Sequence, residues 1–185
     1  DRLLLEVDRL FGDAALTPDT LSLVGISIGP GGFTGLRVAV ATAKMLAMTT
    51  GCDVVAVPTA LVVAGSRPGP PATTGVLLAS RNGTAWLTCV SADLQQIGTP
   101  GLVDATTVAS AVAQCDVCVA DSHLPPDLTR AIQDAGLPVE APALDPVACL
   151  HLAERAREQG DTADIHRLEP LYPRIPEAVR LFEAR

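Results

Sequence analysis

The sequence predicts an α/β protein made of two similar lobes, the first of which has lost its opening strands. Three observations lead to this fold class. Hydrophobic residues make up 48% of the 185 residues and aromatic residues only 3%, so we expect an aliphatic core. Short apolar runs of strand length alternate with helical patterns along the chain. A stiff proline- and glycine-rich connector at 66–71 separates two such series.

The first half is predicted to have the element order α-β-α-β-α. Gly12 is expected to end the first helix, Thr34 to cap the second, and Gly51 to end the second. The five elements are a helix over 1–11, a strand over 21–28, a helix over 34–49, a strand over 54–57 and a short helix over 59–65.

The second half is predicted to have the order β-β-β-α-β-α-β-α. Asn82-Gly83 is typical of a hairpin turn between the first two strands. Pro126 is expected to open one helix and Gly136 to close it. The elements are strands over 75–80, 84–91 and 95–98, a helix over 104–114, a strand over 116–120, a helix over 126–136, a strand over 137–141 and a helix over 145–159.

The order in the second half is that of a ribonuclease H-like lobe, and the first half repeats it without the three opening strands. A duplicated lobe of this kind is the actin/Hsp70/sugar-kinase-like (ASKHA) architecture. We expect the remainder of a first lobe over 1–66, a second lobe over 67–165, and a C-terminal tail with a short helix over 166–185. Because the chain also begins without Met, we expect an N-terminally truncated fragment.

Charge and cysteine content limit the function classes. A formal net charge of −8 disfavours direct contact with nucleic acid. Five dispersed cysteines are typical of reduced thiols in the cytoplasm. Cys115 and Cys118 form one C-x-x-C without a second pair, so buried small side chains are a better interpretation than a zinc site.

The first residues are charged and do not resemble a secretory signal, and no apolar run reaches the roughly 18 residues of a membrane span. We therefore expect a cytoplasmic protein without membrane association.

The segment 22–47 is the most distinctive part of the sequence. An apolar strand leads into glycines, and the following helix offers free N–H groups that could face an anion. Lys44 lies too far inside that helix for a Walker A motif, and the G-x-G-x-x-G register is broken. Anion contact and a purely structural turn both remain open for this glycine loop, which comprises Gly29, Gly31, Gly32, Thr34 and Gly35.

Small residues recur at every fourth position of the predicted second helix and form a smooth stripe. Two interpretations are open: the stripe packs on its own sheet, or it contacts a helix of a partner subunit. In the second case the first helix is its natural neighbour. The predicted partner interface comprises Leu3, Leu4, Val7, Leu10, Gly35, Leu36, Arg37, Ala39, Val40, Ala43, Lys44 and Ala47.

Three sequence segments carry a family resemblance. The segment GPGGFTGLR at 29–37, followed by the small-residue helix, resembles the signature G-P-G-[SG]-F-T-G-[LI]-R of the TsaB (YeaZ) family. VPT at 57–59 and LYPRIPEA at 171–178 are similar to further patterns of that family. The family's opening strand pattern is absent, and the acidic residues usual in its hairpin are missing at 79–86.

The resemblance implies a supporting role in tRNA modification. TsaB-like proteins are non-catalytic and pair with the catalytic paralogue TsaD, which transfers threonylcarbamoyl to N6 of the adenosine next to the anticodon. A TsaE-like ATPase joins the pair. The resemblance implies no cofactor on this chain alone, ATP or ADP and metal on the partner subunits, and only indirect contact with tRNA. It leaves open whether the chain forms a homodimer.

An enzyme is the alternative hypothesis, either an ATP-dependent enzyme of the sugar-kinase-like fold or a glycoprotease-like hydrolase. A kinase needs a carboxylate that holds magnesium, and the hairpin loop 80–84 contains no acid. A zinc protease needs H-E-x-x-H. The histidines His123, His151 and His166 form neither that motif nor the H-x-x-x-H with which TsaD binds metal.

Overall fold

The computed structural model describes residues 2–172, which form two sheets with helices between and around them. The helices are α1 (Leu3–Asp13), α2 (Phe33–Thr50), α3 (Thr59–Gly65), α4 (Val108–Ala111), α5 (Pro126–Asp134) and α6 (Pro146–Glu158). The strands are β1 (Leu23–Ser27), β2 (Asp53–Val57), β3 (Thr74–Ala79), β4 (Ala85–Val90), β5 (Gln96–Val103), β6 (Val117–Ala120) and β7 (Val139–Glu140). None of the helices described is long and apolar enough to cross a membrane.

The first sheet consists of β1 and β2, which run parallel and are joined by α2. Because side chains alternate along a strand, each face of this sheet has its own set of apolar residues. Ile26 and Val54 pack on one face together with α2. Val55 and Val57 pack on the other face together with α3 and α6. The sheet is therefore the middle layer of three.

Helix α6 lies against β1 at very short distance. A Cβ atom at Gly25 would lie 2.7 Å from Cβ of Ala153 and 3.4 Å from the carbonyl oxygen of Cys149. Arg157 at the end of the helix also forms an ion pair with Asp53 at the start of β2, with 2.8 Å between Nε and Oδ2. The helix comes last in the predicted second lobe by chain order, yet it packs on the first sheet.

The second sheet has the order β5-β4-β3-β6-β7. Strands β3, β4 and β5 form an antiparallel meander, whereas β6 and β7 run parallel to β3 and to each other. The predicted hairpin turn is confirmed, since Asn82 and Gly83 have φ values of 60° and 69°. One face packs on α4 and α5 through Leu77, Leu87, Val108, Val112, Leu128 and Ile132. The opposite face packs on α3 through Val76, Val90, Val119, Ala60 and Val63.

Two helices join the halves of the chain. Helix α3 follows the first sheet and packs on both sheets, through Val62 on the first and through Ala60 and Val63 on the second, while α6 follows the second sheet and packs on the first. The connector after α3 is fixed by polar contacts. Ser66 Oγ accepts a hydrogen bond from Asp145 N at 2.8 Å, and the Arg67 guanidinium donates to both carboxylate oxygens of Glu140 at 2.9 and 3.2 Å. These contacts attach the connector to the start of α6 and to β7.

Two predicted boundaries in the first half are wrong. Helix α1 continues through Gly12, and the left-handed conformation that follows its end lies at Ala15, with φ 51°. In α2 the N-cap position belongs to Gly32, so Thr34 lies inside the first turn and does not cap the helix. The predicted end at Gly51 is confirmed, because this residue has φ 75° and its N–H donates to Ala47 O.

The second half requires two further corrections. Strand β5 continues to Val103 through Gly98 and Pro100, which an edge strand tolerates. The predicted helix over 104–114 is helical only at Val108–Ala111. The Asp104 carboxylate accepts hydrogen bonds from the N–H groups of Thr106 and Thr107, so the turn that precedes this helix is fixed by a capping side chain. The predicted short helix of the 166–185 tail falls beyond Tyr172 and lies outside the described residues.

Replacing Gly25 with alanine is expected to lower the free energy of unfolding by roughly 1–3 kcal/mol, because the new methyl group must push α6 away from β1. Gly12→Ala is the matched control. Gly12 is helical, and a Cβ there meets no described atom within 4 Å, so its stability should stay equal or rise by about 0.5–1 kcal/mol. Urea denaturation of both variants measures the difference. Equal stability of the two variants would contradict the packing described.

Candidate functional site

The glycine loop connects the end of β1 to the start of α2 and is fixed by backbone contacts. Gly29 has φ 114°, a conformation that favours glycine. A Cβ atom at Gly29 would lie 2.9 Å from both the carbonyl oxygen of Leu171 and Cδ1 of Leu36. The Gly29 carbonyl accepts a hydrogen bond from Thr59 N at 2.9 Å, and Leu171 N donates to Ile28 O at 2.8 Å. The loop is therefore clamped between the start of α3 and the C-terminal segment.

A hydroxyl pair lies beside this clamp. Ser27 Oγ and Thr59 Oγ1 are 2.7 Å apart and partly buried, so one hydroxyl donates to the other. This bond joins the end of β1 to the first residue of α3. It reinforces the backbone contact from Thr59 N to Gly29, and the loop enters α2 from a fixed position.

The predicted glycine-loop residues have different roles. The structural-turn interpretation is supported for Gly29, which is buried and in contact on two sides. Gly31, Gly32, Thr34 and Gly35 are exposed, and a Cβ at Gly32 or Gly35 meets no described atom within 4 Å. These four residues remain accessible to a ligand or a partner, so anion contact there stays a prediction.

An aromatic and cationic cluster lies at the N-terminal end of α2. The Arg37 guanidinium carbon is 3.9 Å from the ring centroid of Phe33, a cation–π distance. Arg37 Nε also donates to the hydroxyl of Tyr172 at 3.2 Å, and the rings of Phe33 and Tyr172 are 5.6 Å apart at 35°. Sequence reasoning selected only Arg37. Both aromatic residues lie in segments with a family resemblance. The sequence around Tyr172 does not indicate its contact with Arg37, which is 135 positions away in the chain.

The predicted partner interface is corrected for four residues of α2. Leu36, Val40, Ala43 and Ala47 are buried, and Ala43 is only 2% exposed. Val40, Ala43 and Ala47 lie on the side of the helix that faces Ile26 of β1, so the small side chains allow close packing on the chain's own sheet. The first interpretation of the stripe therefore holds for these residues. Ala39 is half-buried on the same side.

Other predicted interface residues are accessible. Gly35 and Arg37 are exposed and Lys44 is partly exposed. Sequence reasoning missed two apolar residues of α2, Met45 and Met48, which are 41% and 70% exposed. A methionine pair on the outer side of a helix is visible in the sequence, but the stripe of small residues drew the prediction to the opposite side.

Helix α1 carries an uncovered apolar face, and none of its residues is buried within the described chain. Leu3, Leu4 and Leu10 of the predicted interface are exposed, and Val7 is partly exposed. Leu5 is exposed as well, but it lies on a different side of the helix from Leu3, Val7 and Leu10. The helix is lined on its polar side by ion pairs of Glu6 with Arg2 and Arg9 and of Arg9 with Asp13. At its C-terminal end, Phe11 reaches a cleft of about 240 Å³ that is also lined by Leu16, Leu23 and Leu150.

Metal ligands are not assembled in the part of the chain that the structure describes. Within residues 2–172, no group of three or more His, Cys, Asp or Glu side chains is placed to hold a metal ion. Cys115 and Cys118 are both buried free thiols.

Comparison with known proteins gives one family and one fold. The model of the family described as TsaD, tRNA N6-adenosine threonylcarbamoyltransferase, matches residues 1–114. A crystal structure of an uncharacterized protein with similarity to peptidase YEAZ from Pseudomonas aeruginosa has 20% identity and a TM-score of 0.70, and the match covers 94% of this chain and 83% of that one. YeaZ from Pseudomonas aeruginosa has 19% identity and a TM-score of 0.71, with 92% and 83% covered.

No curated protein matches the chain. At such identities the two solved structures show the fold alone, which is a mixed α/β fold of the YeaZ kind. Together with the family match, they confirm the resemblance that the GPGGFTGLR segment predicts.

Gly29→Ala is expected to lower the free energy of unfolding by about 1–3 kcal/mol, because alanine disfavours φ 114° and its methyl group collides with Leu171 O. Gly31→Ala, two residues along the same loop, places its methyl group at an ordinary 3.7 Å from Leu36 and should cost less than about 0.5 kcal/mol. Thermal and urea unfolding of both variants test this difference. If Gly31→Ala lowers the free energy of unfolding more than Gly29→Ala does, the contacts assigned to Gly29 do not fix the loop.

Proposed function

The chain belongs to the TsaD family of tRNA N6-adenosine threonylcarbamoyltransferases, and on that premise we propose that it is a non-catalytic subunit that pairs with a catalytic paralogue. In this role it supports threonylcarbamoyl transfer to N6 of the tRNA adenosine next to the anticodon. The single observation that carries the proposal is the uncovered apolar face of α1. The partner is a protein of related fold.

An isolated helix of this size has little stability of its own. Helix α1 has 11 residues, and helices shorter than roughly 12–15 residues are marginal in water without tertiary packing. Exposed leucines on one side of such a helix mark a surface for another protein. A partner helix that covers Leu4, Val7 and Leu10, which lie within about 120° of one another around the helix, would bury this apolar face.

The outer side of α2 and its N-terminal end support the same role. Met45 and Met48 offer flexible apolar side chains that adapt to a partner surface. Phe33, Arg37 and Tyr172 belong to residue types that are enriched at interfaces. The exposed residues of the glycine loop lie beside them in the chain, so a partner docked there would also reach the loop.

The charge of the chain favours an indirect relation to tRNA. A net charge of −8 repels the phosphate backbone. In the proposed complex the TsaD-like paralogue therefore holds the tRNA, the nucleotide and the metal, and a TsaE-like ATPase completes the assembly. This chain supplies a surface and no reacting group. Self-pairing through α1 is the form we expect when the paralogue is absent.

We also propose that the fold is a duplicated ribonuclease H-like lobe of the ASKHA type. The unit β1-α2-β2-α3 has the same order as β6-α5-β7-α6, and both units contain a parallel strand pair joined by a helix. The final helix of each unit packs on the sheet of the other unit, and α3 packs on the sheet of its own unit as well. This reciprocal arrangement supports two copies of one ancestral lobe.

A charge on the α1 face is expected to break pairing and leave the fold intact. Leu10→Glu should weaken co-purification with the TsaD-like paralogue by at least about tenfold, because a buried unpaired carboxylate is costly at an interface. Leu144→Glu is the matched control, since Leu144 is 67% exposed and Leu10 is 66% exposed, but Leu144 lies in the loop before α6. Threonylcarbamoyl transfer in the reconstituted mixture should fall with pairing.

Melting temperatures of both variants show whether the fold is retained. Undiminished pairing of the Leu10→Glu chain would place the interface elsewhere. Calorimetry with ATP and magnesium tests the alternative enzyme hypothesis: micromolar binding by this chain alone would favour an ATP-dependent enzyme, whereas no binding agrees with a supporting subunit.

A further inference from the structure

Three cysteines converge on one glycine in the second sheet. Gly75 of β3 is paired with Cys89 of β4 on one side and with Cys118 of β6 on the other. Cys115 lies in the loop that enters β6. A Cβ atom at Gly75 would lie 3.2 Å from Sγ of Cys115 and 3.3 Å from Sγ of Cys118. The missing side chain at Gly75 therefore provides the space in which the thiols meet.

One cysteine of this cluster is in direct sulfur contact with Cys89 of β4. The Sγ atoms of Cys115 and Cys89 are 3.7 Å apart. Cys89 and Cys118 lie on strands separated by β3, so their Cα atoms are about 9–10 Å apart. A disulfide needs Cα atoms within roughly 7 Å. Cys115 is thus the residue that can bond to Cys89.

Cys89 is also the thiol of the three that borders a cleft, although the residue is only 7% exposed. It lines a cleft of about 180 Å³ between β4, β5 and the end of α4, together with Ile97, Gly98 and Gln114. The pairing of β4 and β5 shifts register between Leu87 and Cys89, and both residues line the cleft. Cys115 does not line the cleft.

The hydrogen bond between the two thiols makes them unequal. Cys115 donates to Cys89, and this lowers the pKa of Cys89 against the opposing effect of burial, with a smaller contribution from the Gln114 side chain. The same bond raises the pKa of Cys115, and burial raises the pKa of Cys118 to about 12. Cys89 is therefore the first of the three to carry the thiolate, which is the reactive form.

We propose that Cys89 and Cys115 form an oxidisable thiol pair, in which Cys89 reacts with a peroxide that enters the cleft and Cys115 resolves the product to an intramolecular disulfide. The Cys89 thiolate attacks one oxygen of hydrogen peroxide, the O–O bond breaks, and a sulfenic acid and hydroxide form. Cys115 then loses its proton and attacks that sulfur, the S–O bond breaks, and the S–S bond forms. Two thiols and one peroxide give one disulfide and two waters.

The full chain itself provides the test, because aspartate residues separate the three cysteines. After treatment with hydrogen peroxide and alkylation of the remaining thiols, cleavage before each Asp gives fragments 53–92, 104–115 and 116–120, which contain Cys89, Cys115 and Cys118 respectively. We expect 53–92 joined to 104–115 with a mass about 2 Da below the sum, and 116–120 alkylated. Linkage of 104–115 to 116–120 instead, or three alkylated fragments, would overturn the proposal.

Three variants distinguish the roles of the two thiols. Cys115→Ser should stop the reaction at the Cys89 sulfenic acid, which dimedone traps, whereas Cys89→Ser should give neither adduct nor linkage. Cys149→Ser is the matched control, because Cys149 is a buried thiol in the separate cluster between α6 and the first sheet, and linkage should be unchanged. Wild-type mapping decides the proposal even where a variant folds poorly. Linkage that forms only in denaturant counts against the proposal.

Discussion

The structure depends on the reciprocal packing of α3 and α6 between the two sheets. Each of these helices covers the sheet formed by the other half of the chain, so neither half buries its own strands alone. At one close contact, Ala153 of α6 lies against Gly25, where a side chain on β1 would prevent the approach. Burial of apolar area is the main stabilising contribution in a protein with so few aromatic residues. We therefore expect the two sheets to unfold as one cooperative unit.

This packing also determines where the glycine loop lies. The first residue of α3 holds Gly29 through its backbone N–H and meets Ser27 through its hydroxyl, and the segment after α6 returns to the same place through Leu171. Loop conformation is thus tied to the helices that join the sheets. The segment that carries the family resemblance contains residues of two kinds. Gly29 is buried in contacts within the chain, whereas Phe33 and Arg37 are exposed at the start of α2.

Sequence patterns predicted the order of the elements well, since apolar spacing and turn residues are local properties. Gly51, the Asn82-Gly83 turn and the alternation of strands and helices are examples. The sequence patterns did not predict in the same way which sheet each helix packs on. The apolar face of α6 is visible in the sequence, but nothing in it selects one sheet over the other. Small residues such as Ala43 and Ala47 suit both a sheet and a partner helix, so the stripe alone could not decide. The contact of Arg37 with Tyr172 depends on the complete fold.

The outer strand of the second sheet has a consequence for solubility at high concentration. An open strand edge can act as a template on which further chains add, and fibrils grow in this way. On β5, Pro100 has no N–H to offer to an incoming strand, and Gly98 with φ 66° interrupts the flat ladder that such growth needs. At the opposite border, β7 spans only two residues. These features of β5 and β7 therefore disfavour polymerisation through the edges of the second sheet.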